Sequence, residues 1–533
     1  MSPLKALSLT ILLSIAVAIH AQKKSAIEKP NNRIINIDIQ KVKGSLNTMF
    51  KECIGAGRAN EGLRADWQRQ LAYVKEQCGF KYIRMHGLVT DDMGVYFEDK
   101  AGNPVYNWQY IDELFDFIIG LQMKPFVELG FMPNALASGK ETIFWWKGNI
   151  TPPKDYAKWA SLIENLVTHF KERYGDEEVK TWYFEVWNEP NLKDIFFTGD
   201  MQTYFKLYTT TSKVIKKVNK LYRVGGPATA GSAWIPEFIE FCSKNDAPVD
   251  FVSTHTYGVD QGFVDKDGNR GTVLSKDPNS VSGEIIRSRD QILQSAKPDL
   301  QLHYTEWSSS YTPADPIHDS YHQAAYVLQK IKQVGNAANS MSYWVFTDIF
   351  EENGPRTSPF HGGFGLLNYQ SIKKPAFFSY QFLNKLGDNE LENNDGSSWA
   401  CKDAKGNIQV LLWDFTNTHP GDSVNNQVYY KRDLPSKPKG IVKIKIDNVT
   451  SGKYRIDIYK VGYRSNDAYS TYLDLGAPKQ LTPKEVETIK QLNDGKPYSS
   501  SIIQFNTVSS FEKEFSLHEN DVLFLVMNKL EAN

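Results

Sequence analysis

Between residues 46 and 370 the chain alternates short apolar runs with longer amphipathic ones, a rhythm that leaves few folds open. The apolar runs are Cys53–Gly57, Lys81–Gly87, Lys124–Gly130, Thr181–Trp187, Arg223–Pro227, Asp250–Tyr257, Gln301–Trp307 and Ser342–Phe346. They are short and apolar, as strands are when both faces are covered. Between them Asp66–Cys78, Tyr110–Leu121, Asp155–Tyr174, Met201–Val218 and Ser320–Val334 carry helical periodicity. This alternation predicts an α/β fold, a (β/α)8 TIM barrel at residues 46–370. Such a barrel carries its chemistry at the C-terminal ends of its strands.

The flanks read differently. Lys5, the apolar run Ala6–Ala18 and then His20-Ala21-Gln22 have the layout of a secretory signal peptide at residues 1–21. The run is too short to span a bilayer comfortably, and no later segment approaches a membrane span. A secreted or periplasmic protein is therefore expected. In residues 371–533 the segments Ile408–Phe415, Ile441–Ile446, Tyr454–Val461 and Asp521–Met527 look like strands separated by turns. They predict a C-terminal antiparallel β-sandwich accessory domain. Arg33–Val42 also alternates like a strand, so residues 30–45 are expected to join that domain. The length agrees, since 533 residues exceed one ordinary core.

The predicted strand ends gather Arg84, His86, Glu128, Asn188, Glu189, His255, Tyr257, Glu306 and Trp344. Glu189 stands in TWYFEVWNEPN, where Pro190 cannot continue a paired strand. Glu306 stands in LQLHYTEWSSS, 306 − 189 = 117 residues later. Two carboxylates at two strand ends are what cleavage of a glycosidic bond requires. Taken alone, Glu189 also reads as an exposed loop residue, and Glu306 as half of a structural ion pair. The neighbours favour chemistry. Asn188 can donate to a sugar 2-hydroxyl, and Trp182, Tyr183, Phe184 and Trp187 offer a desolvating wall that would raise a carboxyl pKa. A nucleophilic Glu306 must stay ionised, with Tyr257, Arg84 and His255 as candidate hydrogen-bond donors. His255 and Tyr257 share one strand face. His86 reads either as a core histidine or, beside Gly87, as part of the site. A carboxyl separation of about 5–5.5 Å would mean double displacement with retention.

Several other chemistries fit poorly. Lys+Arg 61 against Asp+Glu 62, a net charge of −1, lacks the basic excess of a nucleic-acid binder. Ten histidines show neither HxH nor HExxH spacing, so neither a metal nor another cofactor is expected. Ser308–Ser310 lack the GxSxG context of a serine nucleophile. Four cysteines, none in a CxxC, read as buried free thiols. In Tyr343–Gly365, Trp344 offers a stacking face, and Glu351 and Glu352 offer acceptors for hydroxyls. That acidic pair favours a neutral sugar. A homo-oligomer is compatible with the sequence.

Over residues 50–385 the chain resembles glycoside hydrolase family 39, and within it the bacterial β-xylosidases. The resemblance rests on CIGAGRANEGL, YIRMHGLVTDDMG, KPFVELGFMPNALASG, WWKGNITPPKDY, TWYFEVWNEPNL, VGGPATAGSAW, PVDFVSTHTY, YTEWSSSY, SYWVFTDIFEENG and FHGGFGLLN. It implies that Glu189 is the acid/base and Glu306 the nucleophile of a retaining exo-glycosidase, a β-xylosidase that releases terminal xylose from β-linked xylo-oligosaccharides. It also implies that His86, Phe131, Asn188, His255, Tyr257, Trp344, Glu351 and Glu352 line the pocket for the terminal sugar. NLKDIFF carries one extra residue relative to the family, and Phe196 is the expected aromatic there. The alternatives are another activity of the family (α-L-iduronidase, arabinosidase or β-galactosidase) and a non-catalytic carbohydrate-binding barrel.

Overall fold

The computed structural model describes residues 33–264, 270–421 and 424–531. The expected signal peptide and residues 30–32 lie outside the described residues.

Eight parallel strands close into a barrel in chain order: Cys53–Arg58, Tyr82–His86, Lys124–Leu129, Tyr183–Val186, Arg223–Thr229, Phe251–Tyr257, Gln301–Ser308 and Ser340–Tyr343. A ring of helices surrounds them: Ala65–Cys78, Gln109–Gly120, Tyr156–Tyr174, Met201–Val218, Ile235–Lys244, Ser282–Leu293, His322–Val334 and Pro375–Asn384. Helix Tyr156–Tyr174 starts one residue later than expected because Asp155 is its cap, accepting from the amides of Ala157 and Lys158. The last helix stacks Phe377 on Tyr73 (centroids 5.6 Å) and sets Tyr380 against Phe80 (5.1 Å), so the ring extends past residue 370. The fourth strand ends at Val186, which leaves Asn188 and Glu189 just beyond it.

The barrel interior is layered. Cys53, Phe126, Tyr183 and Phe251 pack together toward the N-terminal end of the strands. Further along, register sets Glu128 beside Glu185 and His255 beside Glu306. Between the sixth and seventh strands the pairing steps from Thr254↔Tyr304 to His255↔Glu306 and skips Thr305. This bulge breaks the inside–outside alternation and turns two successive side chains, Thr305 and Glu306, into the lumen.

The antiparallel domain is one continuous sheet of nine strands. Their order is Ser499–Phe505, Gly452–Val461, Val522–Leu530, Ile408–Trp413, Ser398–Lys402, Asn389–Asn393, Arg33–Ser45, Pro438–Val449 and Ser509–His518. Side chains from both ends of this order, such as Ile456 and Phe515, share one core, so the sheet wraps over itself. The N-terminal strand runs antiparallel to Asn389–Asn393 and parallel to Pro438–Val449. Ile35 and Ile37 point into the core, and Arg33 grips Asp395 through two bonds of 2.6 and 2.5 Å. The helices Ala468–Asp474 and Pro483–Leu492, unforeseen in the sequence, bring Tyr469, Tyr472 and Ile489 to Phe360 and Ile372. All four cysteines are buried and unpaired.

If the N-terminal strand is integral to this core, Ile37→Ala is expected to destabilise the protein by about 2–5 kcal/mol. Equilibrium urea unfolding followed by tryptophan fluorescence checks this.

Candidate active site

A single cation organises the upper barrel. Arg84, fully buried on the second strand, donates to Glu185 (2.6 Å) and Glu306 (2.6 Å) and pairs with Glu128 (2.8 Å). It also donates to the Asn188 carbonyl oxygen at 2.9 Å. Burial works against the guanidinium charge, but the three carboxylates outweigh it and hold Arg84 protonated. With its oxygen taken by Arg84, Asn188 is left with its NH2 group as the free donor.

Glu306 is held at both oxygens. Arg84 donates to Oε1, and the Tyr257 hydroxyl donates to Oε2 at 2.7 Å. Glu189 is set differently. The backbone after the fourth strand turns through left-handed conformations at Trp187 (φ 72°) and Glu189 (φ 44°). The Glu189 amide donates to Ala228 O at 2.8 Å, and Asn191 clasps both backbone groups of Ala230. Non-glycine residues pay for such φ values, so the surrounding contacts must hold the turn in place. Glu189 has a close side-chain contact with His255 Nδ1 (2.8 Å). Burial pushes the Glu189 carboxyl up to about 7, against the opposing influence of His86 and Arg84. His255, desolvated, is lowered to about 4 and is neutral near pH 7.

One donor atom from each of Glu189, His255 and Glu306 lies within 4.8 Å of the other two. Such a trio can ligate a cation, but here Arg84 already supplies the positive charge beside Glu306. A carboxyl pair at this separation, one side hydrogen-bonded at both oxygens and the other desolvated, can act as nucleophile and acid.

The sequence profile of Glycosyl hydrolases family 39 matches residues 33–505. A beta-xylosidase from Caldicellulosiruptor saccharolyticus is 41% identical over 87% of this chain and 92% of its own length. One from Geobacillus stearothermophilus is 38% identical over 87% and 92%. The crystal structure of a GH39 enzyme from Xanthomonas axonopodis pv. citri superposes with a TM-score of 0.91 at 41% identity, covering 94% of this chain and 98% of that one. The chain belongs to glycosyl hydrolases family 39. It is a glycoside hydrolase.

The remaining site residues take distinct places around the family 39 carboxylate pair. His86 Nδ1 contacts Glu128 (2.6 Å), and its Nε2 lies 3.6 Å from Glu306 and 3.9 Å from Glu352. Trp344 lies beside the His86 ring (4.8 Å between centroids) with Arg84 near its face. A Cβ at Gly55 would stand 2.5 Å from the Trp344 ring, so this seat requires glycine. Phe131 contacts the rings of His86, Phe144, Trp146, Trp187 and Phe196, and so belongs to an aromatic wall with Phe196. Glu352 faces the pair, and burial together with Glu306, Glu61 and Glu189 raises its pKa well above the ordinary value. Glu351 instead turns to Arg58 (2.7 Å) and Arg64 (3.0 Å).

The expected wall around Glu189 is largely elsewhere. Trp182 packs in the helix layer against Phe115 and Phe170, Phe184 lies against Tyr222, and Tyr183 belongs to the lower barrel layer. Period-two alternation puts Trp182 and Phe184 on the outer face, and only Trp187 of the four joins the Phe131 wall. Sequence reasoning missed Glu185, Arg58, Phe144 and Trp146. For Glu185 a signal existed: a lone acid inside the buried strand Tyr183–Val186 demands a buried partner.

Arg84→Met removes the cation shared by three buried carboxylates. It is expected to cost roughly 3–5 kcal/mol of stability and to abolish measurable turnover, read by chemical unfolding and by kcat/KM.

Proposed function

We propose that the protein is a retaining, exo-acting β-xylosidase that removes terminal xylose from β-linked xylo-oligosaccharides. The observation that carries the reading is the spacing of Glu189 and Glu306, which offer oxygens within 4.8 Å of each other. Oxygens that close fit the ~5–5.5 Å carboxyl separation of double displacement better than the ~6.5–9.5 Å that admits a water for direct inversion. In the first step Glu306 attacks the anomeric carbon while Glu189 protonates the departing oxygen. In the second step Glu189 takes a proton from water, and that water releases xylose from Glu306. The Asn188 NH2 group is the donor for the sugar 2-hydroxyl.

The relatives named beta-xylosidase support the sugar assignment. So does the charge around the site. Arg84 is committed to carboxylates and Asn188, and Arg58 to Asp92 and Glu351, which leaves neither to bind a sugar carboxylate. This disfavours an iduronide. The Trp145 amide donates to Glu352 O at 2.7 Å, tying two loops together beside the pocket, as a site for chain ends needs. The signal-like segment at residues 1–21 supports a secreted or periplasmic enzyme acting in xylan breakdown. Among the described residues, no helix is long and apolar enough to cross a membrane.

On an aryl β-xyloside with a poor leaving group, Glu189→Ala is expected to lower kcat/KM by roughly 10²–10⁴-fold. Azide should rescue it with an activated leaving group and yield the β-azide. Wild-type turnover in Glu189→Ala or Glu306→Ala, or inverted first-formed product by proton NMR, would refute the reading. The protonated acid is the active form, and its pKa is raised to about 7, so kcat/KM is expected to fall as pH rises through about 7.

A further inference from the structure

A chain of four buried side chains runs beneath the proposed acid. The Thr305 hydroxyl donates to Glu185 Oε1 at 2.7 Å. His255 Nε2 lies 3.1 Å from the same hydroxyl, and its Nδ1 lies 2.8 Å from Glu189 Oε1. Glu185, Thr305 and His255 are fully buried, and Glu189 is nearly so.

The chain has only one consistent direction. Burial alone would raise the Glu185 pKa, but the Arg84 guanidinium at 2.6 Å, with the Thr305 hydroxyl, outweighs it and keeps the group ionised. An ionised carboxylate only accepts, so Thr305 must donate to it. The Thr305 oxygen then accepts from His255, which places the imidazole proton on Nε2. Nδ1 is left as a lone pair aimed at Glu189 Oε1. A protonated Glu189 completes the chain by donating to that lone pair, whereas an ionised Glu189 meets it with repulsion.

We propose that Thr305 is a positioning residue: by fixing the Nε2–H tautomer of His255, it makes Nδ1 an acceptor that holds the proton on Glu189. This rests on the acid/base reading of Glu189. Thr305 stands two residues after His303, which faces the interior layer, so alternation already turns it inward, and the bulge brings Glu306 in beside it. The other groups facing Glu189 are His86 and Arg84 on the second strand, Glu128 on the third, Glu185 on the fourth, Tyr257 on the sixth, Glu306 on the seventh and Glu352 on the loop after the eighth. Thr305→Val keeps the shape and leaves all of these in place.

The test is the pH profile of kcat/KM on an aryl β-xyloside. Without the hydroxyl, His255 can carry its proton on Nδ1 and donate to the Glu189 carboxylate. The alkaline limb of Thr305→Val is then expected to move down by about one pH unit, because a bond to the charged form favours it. Thr305→Ser restores the hydroxyl and is expected to restore the limb. A limb in Thr305→Val that matches wild type overturns the proposal. If Thr305→Val does not fold, neutron diffraction of the wild-type protein decides. Deuterium on His255 Nε2 with a bare Nδ1 supports the relay, and deuterium on Nδ1 overturns it. Glu189→Ala separates the two claims. A wild-type alkaline limb in that variant sinks the acid/base reading. Loss of the limb there, with no shift in Thr305→Val, sinks the relay alone.

Discussion

The Arg84 guanidinium is the interaction on which the upper barrel depends. Glu128, Glu185 and Glu306 come from three different strands and converge where water is excluded. Without a buried counter-charge such a group of acids would protonate or unfold the site. One planar cation with a fork of donors reaches all three and still has a hydrogen for Asn188, although burial outweighs it at Glu128 and pushes that carboxyl well up. The same contacts therefore hold strands together, fix Glu306 and orient the amide beside it. Glu189 lies just beyond this array, with a histidine rather than an arginine at its oxygen, and burial pushes its carboxyl up to about 7.

Two acids of the same type are thus separated in behaviour by what touches them. Glu306 receives donors at both oxygens, whereas Glu189 receives desolvation and a neutral imidazole. The division depends on backbone irregularity. A left-handed turn lifts Glu189 off the end of its strand, and a bulge brings Glu306 in beside Thr305. Regular strands would place neither.

Much of this was legible in the chain. The alternation of apolar and amphipathic stretches gave the barrel and most of its helices, since strand and helix periods differ and helices end at caps such as Asp155. The pairing of Glu189 with Glu306 followed from both standing at strand ends. What escaped depended on long-range geometry. Glu351 and Glu352 are neighbours in sequence, yet Arg58 and Arg64 draw one aside while the other faces the pair. Trp182 and Phe184 read as part of the site because aromatic type carries no information on which strand face a residue occupies. The wrapped nine-stranded sheet places an N-terminal strand parallel to Pro438–Val449, a pairing that no local pattern encodes.

The central claim is that Glu306 becomes covalently bonded to the sugar while Glu189 manages the proton. A 2-deoxy-2-fluoro xyloside with an activated leaving group slows release of that intermediate enough to trap it. Peptide mapping by mass spectrometry then locates the fluorosugar. The account predicts stoichiometric labelling of Glu306 within the segment 300–310. A label on Glu189, or full turnover of the probe with no labelled peptide, would contradict it.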